Sequence, residues 1–326
     1  MILVTGGAGF IGSNLIAALE ERGESEIVIC DTLGTGDKWR NLAKREIAEL
    51  VPPDELGDVL ESGSIDLVFH LGASSSTTET DVDFIIANNF ALSLALWNWC
   101  AESGARFIYA SSAATYGDGS NGFTDDGSVD ALALLRPLNP YGWSKHLFDR
   151  RVARLLASDA PRPKQWAGLK FFNAFGPNEY HKGDQQSVLA KNAERILGGE
   201  TVRLYKSHHP DYADGGQLRD FVWVGDCVDV MLWLLDNPQV SGLFNCGTGE
   251  AASFQALIEA AFQAAGHTPR IEYVEMPESL QEHYQYFTEA DLSHLRGAGY
   301  QKPFTPTTEA ARRYVSDYLS QPDPYR

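Results

Sequence analysis

A chain of 326 residues is long for one core and suits a large α/β domain carrying a smaller partner. Its formal net charge of −18 excludes a general polyanion-binding surface, because nucleic acid would be repelled at long range. No uninterrupted apolar run reaches the roughly eighteen residues that would mark a bilayer span, and no basic segment precedes an apolar core at the start, so neither a membrane partner nor a signal peptide is expected.

The chain opens on "MILVTGG", a predicted strand, followed by the helical pattern "GFIGSNLIAALEERG" and the strand "EIVICD". Next come "IDLVFHLGA" (65–73) as a strand and a helix near 84–103, whose stretch "FALSLALWNWCA" (90–101) should lie buried against a sheet. "ARFIYASSA" (105–113), a helix from Tyr141 to about Ser158, and the strand "WAGLKFFNAFG" (166–176) complete the regular part. Apolar strands alternating with helices predict a Rossmann-type, doubly wound parallel sheet covered on both faces.

Beyond Asn173 the rhythm loosens into loops rich in Gly, Pro, His and Asp, where a smaller α/β substrate-binding domain is expected. "RDFVWVGDCVDVMLWLL" (219–235) reads as a strand and helix returning to the first domain. The predicted division is therefore discontinuous: 1–172, 218–247 and 288–300 for the dinucleotide-binding domain, and 173–217, 248–287 and 301–326 for the other. Cys30, Cys100, Cys227 and Cys246 are far apart and form no C-x-x-C pair. They read as buried free thiols of a reducing cytoplasm, and no metal site is expected.

"VTGGAGFIG" places Gly6, Gly9 and Gly12 between a strand and a helix at G-x-x-G-x-x-G spacing. The first glycine permits a tight turn, the second lets a pyrophosphate approach the backbone, and the third lets helix and strand pack closely. The helix N-terminus then favours phosphate charge. Asp31 ends the second strand about twenty residues later, where a carboxylate meets the ribose 2′-hydroxyl of NAD. Lys38 and Arg40, in "DTLGTGDKWR", lie where a cation could instead meet the 2′-phosphate of NADP, or could simply belong to a solvated loop. The cofactor reading is NADP, with NAD open.

"NPYGWSKHLFDR" (139–150) sets Tyr141 one helical turn ahead of Lys145. A free tyrosine, with a pKa of about 10, is a poor base near neutrality. An ammonium at about 4–6 Å favours the phenolate, lowering such a pKa by roughly 1–3 units. "YASSAATYG" (109–117) supplies Ser111 and Ser112 at the carboxyl end of a strand, where open α/β sheets bind ligands. A nicotinamide cofactor would take hydride from a carbon whose hydroxyl proton leaves to the tyrosine.

This constellation resembles the extended short-chain dehydrogenases/reductases that act on nucleotide sugars, and that resemblance carries Ser112, Tyr141 and Lys145 into the catalytic triad. "TGGAGFIGSN", "GASSSTTE", "YASSAATYG", "FFNAFGPNEYHKG", "RDFVWVGD", "FNCGTGEAASFQA" and "YFTEADL" together resemble the ADP-L-glycero-D-manno-heptose-6-epimerase family over nearly the whole chain. The resemblance implies transient oxidation and reduction at C6 of ADP-D-glycero-D-manno-heptose with tightly bound NADP, for a lipopolysaccharide precursor. It makes Lys182, in "HKG", a second acid/base that divides proton transfer with Tyr141 because the hydroxyl lies differently in the two epimers. It also implies cofactor contacts at Phe10, Ile11, Thr32, Lys38, Leu71, Gly72, Ala73, Ser74, Ser75, Asn88, Ala174, Lys145 and Lys182. Substrate contacts fall on Ser112, Asn173, Asp184, Lys191, Arg219 and Tyr284. Family behaviour further implies a cytoplasmic homo-oligomer, a pentamer.

The chain departs from the family pattern at Pro53, where a second lysine for the 2′-phosphate is expected, and at Lys191 and Asp184, which stand for a histidine and a serine. The loop "KSHHPDYADGGQLRD" is also longer, and His208 and His209 read as loop residues. Among rivals, a 4,6-dehydratase needs an Asp-Glu pair after its threonine, and "SSAATYG" offers no acid. A UDP-hexose 4-epimerase lies closer, with only Lys182 and the carboxyl half against it. A non-catalytic NADP-binding protein would have no use for Tyr141 and Lys145.

Overall fold

The computed structural model describes residues 1–61, 64–281 and 284–326. Seven strands make the central sheet: β1 (Ile2–Thr5), β2 (Ile27–Cys30), β3 (Glu49–Val51), β4 (Leu67–His70), β5 (Arg106–Ser112), β6 (Trp166–Phe171) and β7 (Gly242–Cys246). Their order is β7-β6-β5-β4-β1-β2-β3, every pair parallel. The order reverses between β1 and β4, which opens a crevice at the carboxyl ends of those strands. Thr5 stands opposite both Cys30 and His70 in register, so the three neighbouring strands end level with one another.

Both faces are buried, which is why the strands read as continuous apolar runs. Ile2 and Val4 point into a core shared with Leu15, Ile16 and Leu19 of the helix Phe10–Glu21 and with Val228, Met231 and Leu234 of the helix Val224–Asp236. Leu3, one residue out of phase, joins the opposite core with Phe107, Tyr109, Leu96, Trp97, Phe148 and Val152. A third core gathers Phe175, Leu204, Phe221, Trp223, Leu257, Phe262 and Tyr314. The strand Phe221–Trp223 alternates between cores, its Val222 turning to the first.

One expectation needs correcting. The stretch 166–176 is two strands: β6 ends at Phe171, and Asn173–Phe175 pairs instead with Phe221–Trp223 outside the main sheet. β3 and β7 were not foreseen as strands. β3 is three residues long at the sheet edge with only Val51 buried, so it lacks a periodic signature. The helix near 84–103 begins at Val82 behind the Asp81 cap and runs to Ser103, long and apolar enough by composition to cross a bilayer. Its Leu96, Trp97 and Cys100 are buried in the core, as expected of 90–101. All four cysteines are free and buried.

Candidate active site

The carboxyl ends of β1, β4 and β5 and the edge of the third core enclose a cavity of about 770 Å³. Its entrance wall is the glycine loop. Gly6 has φ +69°, and a Cβ there would lie 2.6 Å from the Gly72 backbone nitrogen. A Cβ on Gly12 would meet the Gly6 carbonyl at 2.2 Å. Gly9 begins the helix Phe10–Glu21 without a side-chain cap, which leaves the first-turn amides for an anion. Asp31 follows β2 and braces the loop: its carboxylate accepts from the Ala8 amide at 2.9 Å, the Thr32 amide at 2.7 Å and the Lys38 ammonium at 2.5 Å. A cradle that only glycine backbone leaves open, an uncapped helix start and an acid beside a cation fit a dinucleotide.

Leu71, Gly72, Ala73 and Ser75, after β4, continue the lining. Ser74 does not face the cavity. Its amide donates to Asn89 Oδ1 at 2.8 Å, and its carbonyl accepts from Asn89 Nδ2 at 2.9 Å. Asn89 also donates to Ser144 Oγ at 3.0 Å, so one buried amide ties this segment to the helix Pro140–Leu156. Sequence reasoning named Asn88, whose amide turns back to the Phe84 carbonyl at 2.8 Å and lies outside the lining. Ile85, Asn89 and Ser93, four residues apart and all buried, mark the inner face of the helix; that spacing was the available signal.

The helix Pro140–Leu156 is capped by Asn139, which accepts from the Gly142 amide at 2.8 Å and starts the helix with proline at its first position. Tyr141 therefore sits in the first turn with Lys145 one turn on. Ser112, the last residue of β5, caps the turn Ala113–Tyr116 through the Ala114 amide at 3.1 Å and stands near enough to the Tyr141 phenol to lower its pKa. Burial pushes that phenol above its ordinary range, and Ser112 offsets part of the rise. The Lys145 ammonium donates to the Ala110 carbonyl at 2.9 Å. Burial brings it down to about 8, with Asp149 acting against the fall. Lys145 is thus engaged with backbone one turn from the phenol and, at about 8, remains mostly charged at neutral pH.

Opposite stands the 3-10 turn Tyr180–Gln185, held by buried Glu179. Glu179 accepts from the Gly176 amide at 3.2 Å, the Ser187 amide at 2.6 Å and the Ser187 hydroxyl at 2.8 Å, clasping both ends of the segment. Within it, the Lys182 ammonium lies 5.0 Å from the centre of the Phe10 ring. Burial lowers its pKa, Lys191 adds to the fall and Glu179 opposes it. Lys191 is exposed and lines the cavity, whereas Asp184 is exposed and does not. His181 also lines it, is pushed down to about 4 by burial, and meets Asn41 Nδ2 at 3.1 Å.

Arg219 is buried behind the lining, its guanidinium 5.2 Å from the Tyr284 ring and 5.8 Å from Phe254, both of which face the cavity. It donates to the Leu218 carbonyl at 2.8 Å, and no carboxylate pairs with it among the described residues. Asp220 is instead occupied by the Thr248, Gly249 and Ala290 amides at 2.6, 2.9 and 3.0 Å. Gly6, Gly9, Phe10, Ile11, Gly12, Asp31, Lys38, Ser112, Tyr141, Lys145, Asn173, Ala174, Lys182, Lys191 and Tyr284 line one cavity. Thr32, Ser74, Asn88, Asp184 and Arg219 stand outside the lining. The far end adds Arg203, Leu204 and Tyr205, from the short strand Val202–Tyr205 that pairs with Ile271–Val274, and Gln217, all of which sequence reasoning missed.

The NAD dependent epimerase/dehydratase family matches residues 2–247. The ADP-L-glycero-D-manno-heptose-6-epimerase of Nitratidesulfovibrio vulgaris (strain DP4) is 50% identical, with 100% of each chain covered. The chain belongs to this epimerase family. Among solved structures, the ADP-L-glycero-D-manno-heptose-6-epimerase of Helicobacter pylori superposes with a TM-score of 0.77 at 26% identity, covering 97% of this chain and 95% of that one. A UDP-glucose 4-epimerase from Thermus thermophilus, in complex with NAD, gives a TM-score of 0.74 at 26% identity, with 96% and 97% covered. As a member of the family the chain is an epimerase, an isomerase with a nicotinamide dinucleotide as cofactor.

Proposed function

We propose that the protein inverts C6 of ADP-D-glycero-D-manno-heptose to give ADP-L-glycero-D-manno-heptose, by transient oxidation and reduction. The observation that carries the reading is one cavity lined by the glycine loop, Ser112, Tyr141, Lys145 and, from the opposite segment, Lys182. The bound nicotinamide supplies the acceptor and donor of hydride. Ser112 holds the C6 oxygen, and either Tyr141 or Lys182 receives its proton as the alcohol becomes a carbonyl. The other group returns a proton on the second face, so no net redox change remains. Burial and Lys191 together favour the neutral form of Lys182 that such a base needs.

Arg219, buried without a carboxylate partner among the described residues, supports a substrate diphosphate at the Tyr284 end, because a planar guanidinium suits paired oxygens. The Asp31–Lys38 ion pair supports NADP over NAD: with its charge answered, Asp31 repels a 2′-phosphate less than a lone carboxylate would. The same reading carries a cytoplasmic homo-oligomer that supplies a lipopolysaccharide heptose precursor, as the sequence resemblance implies. The test incubates purified protein with ADP-D-glycero-D-manno-heptose and follows C6 configuration by NMR. Conversion with C6 deuterium retained is expected. Turnover of a UDP-hexose with no change in the heptose would overturn the substrate, and wash-out of deuterium to water would overturn the hydride route.

A further inference from the structure

Lys170 lies on β6 with no exposed surface, where a cation must be paired. Its ammonium stands 2.9 Å from Asp149 Oδ2, donates to Thr115 Oγ1 at 2.6 Å and lies 4.8 Å from the centre of the Tyr116 ring. Asp149 also accepts from the Tyr109 hydroxyl at 3.0 Å and the Ser111 hydroxyl at 2.7 Å. Thr115 Oγ1 in turn donates to the Ser112 carbonyl at 2.8 Å. Each member sits on an element that carries part of the redox site. Asp149 is one helical turn past Lys145, Ser111 precedes Ser112 on β5, and Thr115 lies in the turn that Ser112 caps. Neither Asp149 nor Lys170 lines the cavity.

We infer that Asp149 and Lys170 are a positioning pair for the redox step, fixing the helix that bears Tyr141 and Lys145 against the strand that bears Ser112. The inference rests on the redox role proposed for those three residues. A buried ion pair is poor evidence for stability, since apolar side chains of the same volume serve as well or better. What this one adds is register: one carboxylate binds two hydroxyls on β5 and a cation on β6, and that cation reaches the turn after Ser112. Asp149 is also the charge that holds Lys145 up against burial. The titratable groups facing the pair are Tyr109 from β5, Tyr116 from the following turn, and Lys145 and His146 from the same helix, with Arg136 and Arg150 acting on His146.

The experiment compares Asp149→Asn, Lys170→Met, the double variant and Asp149→Glu. The double variant leaves no unpaired buried charge and is the informative one if either single variant fails to fold. In the double variant the expected result is a cooperative melt, retained nicotinamide binding and KM near wild type, with kcat lowered by about a hundredfold, the scale of a small misplacement of catalytic groups. The alkaline limb of its rate profile should also move to lower pH, because Lys145 deprotonates sooner without Asp149. Asp149→Glu, which keeps the charge, should recover part of the rate. Ultraviolet difference titration against Tyr141→Phe follows the Tyr141 phenol with no sugar present, so a wrong substrate assignment leaves this readout standing. A folded double variant with wild-type kcat, pH profile and Tyr141 titration would overturn the inference.

Discussion

Tyr141 and Lys182 line one cavity yet differ in what governs them. Tyr141 is a phenol raised by burial and drawn back by one serine, while Lys182 is an ammonium lowered by burial and by Lys191. The shift of Lys182 is toward the neutral amine that a base needs, whereas the shift of Tyr141 keeps it a protonated phenol, the form that can return a proton to the sugar oxygen. Lys182→Met should therefore lower interconversion of the two epimers by about a hundredfold or more, the usual range for a lost acid/base. Reduction of the bound nicotinamide by the epimer that Tyr141 serves should persist. Stopped-flow nicotinamide absorbance beside NMR of the product separates the two. Wild-type epimerisation by Lys182→Met would reduce this residue to a ligand-binding cation. Glu179→Gln should imitate it partly, because the clasp from Gly176 to Ser187 loses its charge-assisted bonds.

The elements that sequence patterning made legible are those with one dominant constraint. The glycine loop was read from three residues, and the spaces a Cβ would fill show why only glycine serves there. Tyr141 and Lys145 were legible from their one-turn spacing beside a glycine loop and a serine motif, and the structure adds the Asn cap and first-position proline that hold that turn. The segment carrying Lys182 was legible only by resemblance, since its turn is fixed by Glu179 reaching backbone amides that no periodicity records. Asn88 and Asn89 differ by about 100° around the helix, so Asn89 turns inward to tie Ser74 to Ser144 while Asn88 bonds the Phe84 carbonyl in this structure. Gly6→Ala tests the loop at this scale. It should abolish nicotinamide binding, measured by fluorescence, since its Cβ would overlap the Gly72 backbone. Gly23→Ala is the control: it shares a positive φ, +85°, but faces open space. Strain of about 1–2 kcal/mol should show in its melt with binding retained. Equal loss of binding in both would mean that strain, not the close approach, explains the loop.

Across the whole molecule, function has placed neutral histidines where charge is unwelcome. Burial pushes His70 down to about 3, and His146 and His181 down to about 4. The unfolded chain takes up those protons near the ordinary value of about 6.5, so between that pH and about 4 it binds more protons than the fold. Stability must therefore fall as pH falls through this window. Glu179, Asp220 and Asp226 act with the opposite sign, because burial raises their carboxyls and lets the fold take protons first. The histidine slope should accordingly dominate just below 6.5 and flatten as these acids titrate. His146 is the position at which to measure it: its Nδ1 has no hydrogen-bond partner among the described residues, so His146→Leu removes a buried polar atom without orphaning another. Denaturant unfolding at stepped pH should show the variant as stable as wild type at neutrality and less sensitive to acid by up to one proton. An unchanged acid slope would mean that His146 already titrates in the folded protein as it does in the unfolded chain. The acid sensitivity would then belong to His70 and His181, the first bonded between Thr5 and Ser93 beneath the cofactor crevice and the second in the lining itself.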